Sequence, residues 1–197
     1  MANKYYAVKN GRETGIFLTW ADCQKQVIGF KNAQFKSFLT KEEAELYISG
    51  DEKTGTEPRD GAATAYVDGS YNVKNGEFSY GAVIFFGGET IEMNCAFCDS
   101  ELSAMRNVAG EIKGAEAAMA YCVENNIEKL DLYYDYRGIE CWCTGEWKTN
   151  KKGTTDYKKY YDSIKEKLDV KFVKVKGHSG DKYNDRADEL AKQALGI

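Results

Sequence analysis

Four acids sit where a surface acid would not need to be. Asp68 follows the apolar run Ala63-Thr64-Ala65-Tyr66-Val67, and Asp135 follows Leu130 to Tyr134. Glu111 and Asp188 fall in the early parts of two predicted helices. Ligand sites of α/β sheets form outside the carboxyl ends of the strands. If the two apolar strands are parallel neighbours, Asp68 and Asp135 meet at one edge, and Glu111 and Asp188 close the ring. Four clustered carboxylates cannot all stay ionised without compensation. Hard cations supply it, and carboxylate oxygen suits Mg²⁺, with Mn²⁺ as an alternative. Two such ions would clamp the attacking and leaving oxygens of an in-line phosphodiester displacement. His178, the single histidine, lies in Gly177-His178-Ser179-Gly180. An imidazole near a leaving oxygen can shuttle a proton.

A lone acid at a strand end is usually a solvated cap or an ion-pair partner. The order of all four, together with the glycine-flanked histidine, is what favours chemistry. Asp181 and Asp185 compete for the last place. Asp188 is preferred because Ala187 and Leu190-Ala191 put it on an inward helix face, leaving Asp181 and Asp185 toward solvent. Cys95 and Cys98, like Cys141 and Cys143, hint at zinc. Odd spacing in a strand points Cys95 and Cys98 to opposite faces, so buried reduced thiols are expected. No phosphate-binding loop or dinucleotide fingerprint is present.

The elements that must position these residues fall into two modules. Residues 51–61, DEKTGTEPRDG, contain the only proline and lack apolar periodicity, so they read as a linker. The expected division is a module over 1–49, a linker over 50–61 and a larger domain over 62–197. The first module predicts a strand at Tyr5–Val8, a turn at Asn10-Gly11 and a return strand at Thr14–Leu18. Thr19 caps a helix over Trp20–Val27, a strand follows at Gln34–Leu39, and a helix starts from Thr40. The second predicts strands at Ala63–Val67, Ser79–Phe86 and Glu89–Phe97. It continues with a helix over Asn107–Asn125, a strand at Leu130–Tyr134 and helices over 138–144 and 156–168. A strand at Val170–Val175 and a helix over 184–195 complete it. The fold class is therefore α/β, with a mixed sheet in the second module and a small α/β unit before it.

The 197 residues are 43% hydrophobic and 29% charged, which predicts a folded chain. The net charge of −4 argues against a simple cationic nucleic-acid glue. Base is nevertheless concentrated between Lys4 and Lys41, where Glu13 and Asp22 are the only acids. No apolar run marks a signal peptide or a membrane span, so a cytoplasmic protein with reduced cysteines is expected.

Several segments together resemble type 1 ribonuclease H. They are Tyr66-Val67-Asp68-Gly69-Ser70, Gly110-Glu111, Tyr134-Asp135, Gly177-His178-Ser179-Gly180 and Asn184 through Ala191. The likeness covers roughly residues 62 to 195. It implies a ribonuclease H-like five-stranded sheet flanked by helices, and endonucleolytic cleavage of RNA paired with DNA, leaving 5′-phosphate and 3′-hydroxyl ends. It also implies that Asp68, Glu111, Asp135 and Asp188 hold two metal ions, that His178 is the mobile-loop histidine, and that Asn107 reads the minor groove. The first module resembles the hybrid-binding domain many such enzymes carry, with a three-stranded antiparallel sheet. From the residues alone Trp20 and Phe35 would be core. The resemblance makes them, with Tyr6 and Lys36, contacts to the RNA–DNA hybrid. No membrane and no obligatory protein partner is implied.

Four departures from the family pattern stand out. The segment from Asp135 to Trp147 lacks the basic protrusion some members carry. Tyr136 stands where a serine is common, Arg106 where a small hydroxyl residue is usual, and Ser37 where a second basic residue often lies. Two rival readings remain: another nuclease or strand-transfer enzyme on the same scaffold, and a hybrid-binding protein without catalysis.

Overall fold

The computed structural model describes residues 4–38, 40–49, 59–175, 177 and 181–197. The chain divides into two compact units, Met1–Thr54 and Gly55–Ile197. Among the described residues no helix is long and apolar enough to cross a membrane.

The first unit is built from β1 (Tyr5–Asn10), β2 (Gly15–Phe17), α1 (Trp20–Val27), β3 (Gln34–Phe38) and α2 (Lys41–Ser49). β1 is the central strand, antiparallel to both neighbours. Consecutive strand residues point to opposite faces, yet Ala7 and Val8 are both fully buried. Val8 packs with Cys23 and Val27 of α1. The Thr19 side chain accepts from the Asp22 N–H and caps α1 as predicted. The Asn10-Gly11 signal gives a hairpin but not a two-residue turn, since Val8 pairs with Gly15. The connection is held down on the end of α1 instead. The Arg12 N–H donates to the Gln26 carbonyl at 2.9 Å, and its guanidinium to the carbonyls of Lys25 and Ile28.

The second unit contains β4 (Ala63–Tyr71), β5 (Phe78–Phe86), β6 (Glu89–Phe97), α3 (Ser100–Ser103) and α4 (Asn107–Glu124). It continues with β7 (Lys129–Tyr134), α5 (Gly138–Thr144), α6 (Lys152–Ile164), β8 (Asp169–Lys174) and α7 (Lys182–Leu195). The sheet order is β6-β5-β4-β7-β8. β4, β5 and β6 form an antiparallel meander, while β4–β7 and β7–β8 are parallel. Ala63, Ala65 and Val67 of β4 and Leu130, Leu132 and Tyr134 of β7 join Ile112, Ala115, Ala118 and Met119 of α4 in the main core.

Several boundaries differ from expectation. β4 does not end before Asp68. It runs on to Tyr71 because β5 goes on pairing with it, whereas its parallel ladder with β7 stops at Tyr66. α6 starts four residues earlier than predicted. Gly153 and Thr154 are poor helix formers, but the Thr154 hydroxyl accepts from the Lys151 N–H and donates to the Lys151 carbonyl. α3 was not predicted. Its start is fixed by Asp99, whose side chain accepts from the N–H groups of Glu101 and Leu102.

Asp181 is not a solvated acid. It is 3% exposed and N-caps α7, accepting from the Tyr183 and Asn184 N–H groups. Asp185 is half-buried. All six cysteines are free, but Cys95 and Cys98 are exposed rather than buried: Cys95 lies on β6, an edge strand with one poorly covered face, and Cys98 just past its end.

Of the segment read as a linker, residues 50–58 lie outside the described residues. Arg59 is firmly placed. Its Nε donates to the fully buried Asp131 carboxylate at 2.7 Å, its backbone N–H donates to the same group, and its guanidinium reaches Asp169 and the Leu130 carbonyl.

Candidate active site

Three glycines decide where the acids meet. A Cβ on Gly69 would strike the backbone of Asn107 and Glu111, and one on Gly110 would strike the Ser79 carbonyl. The first turns of α4 therefore lie backbone-to-backbone on β4 and β5, which places Glu111 beside the Asp68 end of the sheet. A Cβ on Gly81 would strike Ala187 and Ala191. This sets α7 on the same strands, where the Ser79 hydroxyl donates to the Ala191 carbonyl at 2.6 Å. Asp135 follows β7, whose parallel register with β4 brings Tyr66 opposite Tyr133.

One carboxylate oxygen from each of Asp68, Glu111 and Asp135 lies within 4.8 Å of the others. Asp68 is 7% and Glu111 2% exposed. Burial first, then the charge of Asp135, lifts the Asp68 carboxyl from 3.8 to about 7, against the pull of the Gly69 N–H that donates to its Oδ1. Burial again, then the charges of Asp135 and Asp68, lift Glu111 from 4.5 to about 9, while the Tyr136 backbone N–H works the other way. Among the described residues Glu111 Oε2 is buried without a hydrogen-bond partner. A buried, unpaired oxygen inside a cluster of like charges is costly. An oxygen-liganded divalent cation would relieve both the repulsion and the missing partner, so these residues fit one.

Asp188, the fourth acid, is near but separate. It raises the Asp68 carboxyl through its charge, yet its own Oδ2 accepts from Lys192 one turn along α7. Lys192 was not singled out from the sequence, although the four-residue spacing from Asp188 is a readable ion-pair signal. His178 lies outside the described residues. Gly177 precedes it and lies against Asp135, since a Cβ there would meet that carboxylate.

Beyond Tyr136 a cleft of about 400 Å³ is lined by residues that include Arg106, Asn107, Trp147, Lys148 and Lys151. Arg106 and Asn107 are exposed. Arg106 holds φ 54°, ψ −134°, a conformation that costs about 1–3 kcal/mol in a non-glycine residue and clusters at functional sites. In the first unit Tyr6, Trp20 and Phe35 form a ring cluster, with centroids 5.8 and 5.7 Å apart. Trp20 and Phe35 are each 43% exposed, so they are surface rather than core; Lys36, the next residue of β3, is exposed on the opposite face, its ammonium over the Phe38 and Tyr47 rings.

The family model described as "RNase H" matches residues 60–196, and one described as "Ribonuclease H1 N-terminal domain" matches residues 4–48. This chain belongs to the ribonuclease H family. Ribonuclease H1 of Rattus norvegicus is 28% identical over 258 residues, covering 96% of this chain and 88% of that protein. Ribonuclease H1 of Homo sapiens is 28% identical over the same shares of the two chains. Ribonuclease H of Hydrogenovibrio crunogenus is 34% identical over 137 residues, 66% of this chain and 92% of that one. Among solved structures, RNase H1 from the archaeon Halobacterium salinarum superposes with a TM-score of 0.57 at 23% identity, over 68% of this chain and 98% of that one. LC11-RNase H1, solved in complex with an RNA/DNA hybrid, gives 0.56 at 19% identity, over 68% and 96%. As a ribonuclease H the protein is a hydrolase that cleaves the RNA strand of RNA–DNA hybrids.

Proposed function

We propose that the cluster of Asp68, Glu111 and Asp135, completed by Asp188, is the catalytic centre and holds two Mg²⁺ ions, with Mn²⁺ able to replace them. The reading rests on one observation: three carboxylates from β4, α4 and the end of β7 converge within 4.8 Å, two of them held far above their ordinary pKa by burial and mutual repulsion. When bound, the cations would neutralise charge on the scissile phosphate and activate water at neutral pH.

The chain's own residues do the rest. The backbone that carries Glu111 and Asp68 is fixed by close contact at Gly69 and Gly110. His178, one residue beyond the Gly177–Asp135 contact, is assigned to proton transfer at the leaving oxygen. Arg106, Lys148 and Lys151 give the neighbouring cleft a positive lining for a backbone phosphate, and Asn107, which lines the same cleft, is assigned to the minor groove of the hybrid. Residues 1–49 form the hybrid-binding module: Tyr6, Trp20 and Phe35 offer ring faces for sugars or bases, and Lys36 a phosphate contact. Cleavage leaves 5′-phosphate and 3′-hydroxyl ends.

The test is cleavage of a hybrid, a double-stranded RNA and a double-stranded DNA, each with Mg²⁺ and with EDTA. Only the hybrid is expected to be cut, only with metal, and not by Asp68→Asn. Full activity of that variant would refute the site.

A further inference from the structure

Among the described residues Asp188 differs from the other three acids in being ion-paired with a cationic side chain. The Lys192 ammonium donates to its Oδ2, with Asp188 19% and Lys192 47% exposed. The helix cannot turn to relocate the pair. Ala187 and Ala191 flank it and are seated against Gly81, the Ser79 hydroxyl holds the Ala191 carbonyl, and Arg186 is paired with Glu92 of β6. Only side-chain rotation can move the Asp188 carboxylate. Asp68 interacts by charge with both Asp188 and Lys192, so the pair stands beside the carboxylate cluster. Glu189 is the further acid within Lys192's field.

Taking that cluster as the cation site, we infer that Lys192 is an internal counter-ion that occupies Asp188 until a second divalent cation displaces it, so that the two cations bind in sequence. The first cation needs only Asp68, Glu111 and Asp135, which already converge. The second needs Asp188, and a one-turn ion pair whose ammonium is half-exposed is weak enough to exchange. A half-exposed ammonium can swing into solvent on its flexible stem once released. Lys192 is thus a positioning residue that sets the occupancy of the second site. It carries no step of the reaction.

The test is Mn²⁺ titration of the full chain by calorimetry, without nucleic acid, for wild type, Lys192→Met, Lys192→Arg and Asp68→Asn. Methionine keeps the aliphatic stem and removes the charge. A unit charge a few ångströms away across partly wet surface is expected to change affinity about tenfold. Lys192→Met is therefore expected to tighten the weaker Mn²⁺ site about tenfold and leave the tighter one within about twofold, with Lys192→Arg behaving as wild type. Equal tightening of both sites, or no change at the weaker one, would overturn the inference. Asp68→Asn separates the two readings. If it binds Mn²⁺ as wild type does, the carboxylate cluster itself is not the cation site. If it loses binding while Lys192→Met matches wild type, only the counter-ion inference fails.

Discussion

Removing one charge from the carboxylate cluster is expected to make the metal-free protein more stable, and Asp68→Asn is the cleanest such change. Folding lifts the Asp68 carboxyl from 3.8 to about 7. A folded-state pKa above the unfolded one means that this group's contribution to stability is intact below the unfolded value and is lost as pH rises through the folded one. At pH 8 the displacement corresponds to about 4 kcal/mol, at ~1.4 kcal/mol per tenfold. Asparagine removes the charge and still accepts the Gly69 N–H, but it remains a buried polar group. About half the cost should therefore return: roughly 2 kcal/mol, or roughly 6 °C in Tm.

Urea denaturation in EDTA at pH 8 and pH 5 is the assay. The gain is expected to fall by more than half at pH 5, where the folded carboxyl is already protonated. Adding Mg²⁺ at pH 8 is expected to narrow the gap by stabilising the wild type through binding. A variant no more stable than wild type at pH 8, or a gain equal at both pH values, would refute the electrostatic account of the cluster.

Three further outcomes follow from the geometry. Gly110→Ala places a methyl group on the Ser79 carbonyl, and is expected to cost about 1–3 kcal/mol by denaturation while lowering activity by moving Glu111. Arg59→Ala strands the fully buried Asp131 and is expected to destabilise the second unit by about 3–5 kcal/mol, most of it recovered in Arg59→Ala with Asp131→Asn. Trp20→Ala and Phe35→Ala are each expected to weaken hybrid binding by ~1–3 kcal/mol, raising KM more than they lower kcat. Unchanged hybrid affinity in a gel-shift titration would return both rings to a structural role.

Much of this protein can be read in the chain. The Thr19 cap, the α5 limits and β6 follow from turn residues, capping side chains and period-two or helical spacing, which are local properties. Asp68 and Asp135 are legible as candidates only together, because two strand-end acids, two helix acids and a glycine-flanked histidine follow one another in a fixed order. The errors share a cause. β4 runs past Asp68 only because a non-adjacent stretch, β5, keeps pairing with it, and α6 starts at Lys152 because a threonine closes its first turn on the backbone. Asp181 looks like a solvent acid in sequence, but capping α7 buries it. Trp20 and Phe35 look like core aromatics until the small unit is seen to leave them on its surface.

What the sequence alone determined is which residue types are present and in what order: four acids, a single glycine-flanked histidine and the strands and helices between them. What only the tertiary structure decided is distance. The backbone approaches at Gly69, Gly110 and Gly81 bring residues from separate elements to one sheet edge, and burial there makes their charges oppose one another. The same packing leaves Asp188 paired with Lys192 rather than joined to the other three. Spacing along a chain fixes which face a side chain takes. The energy of like charges depends on their separation and on the water between them, and those exist only once the elements have packed.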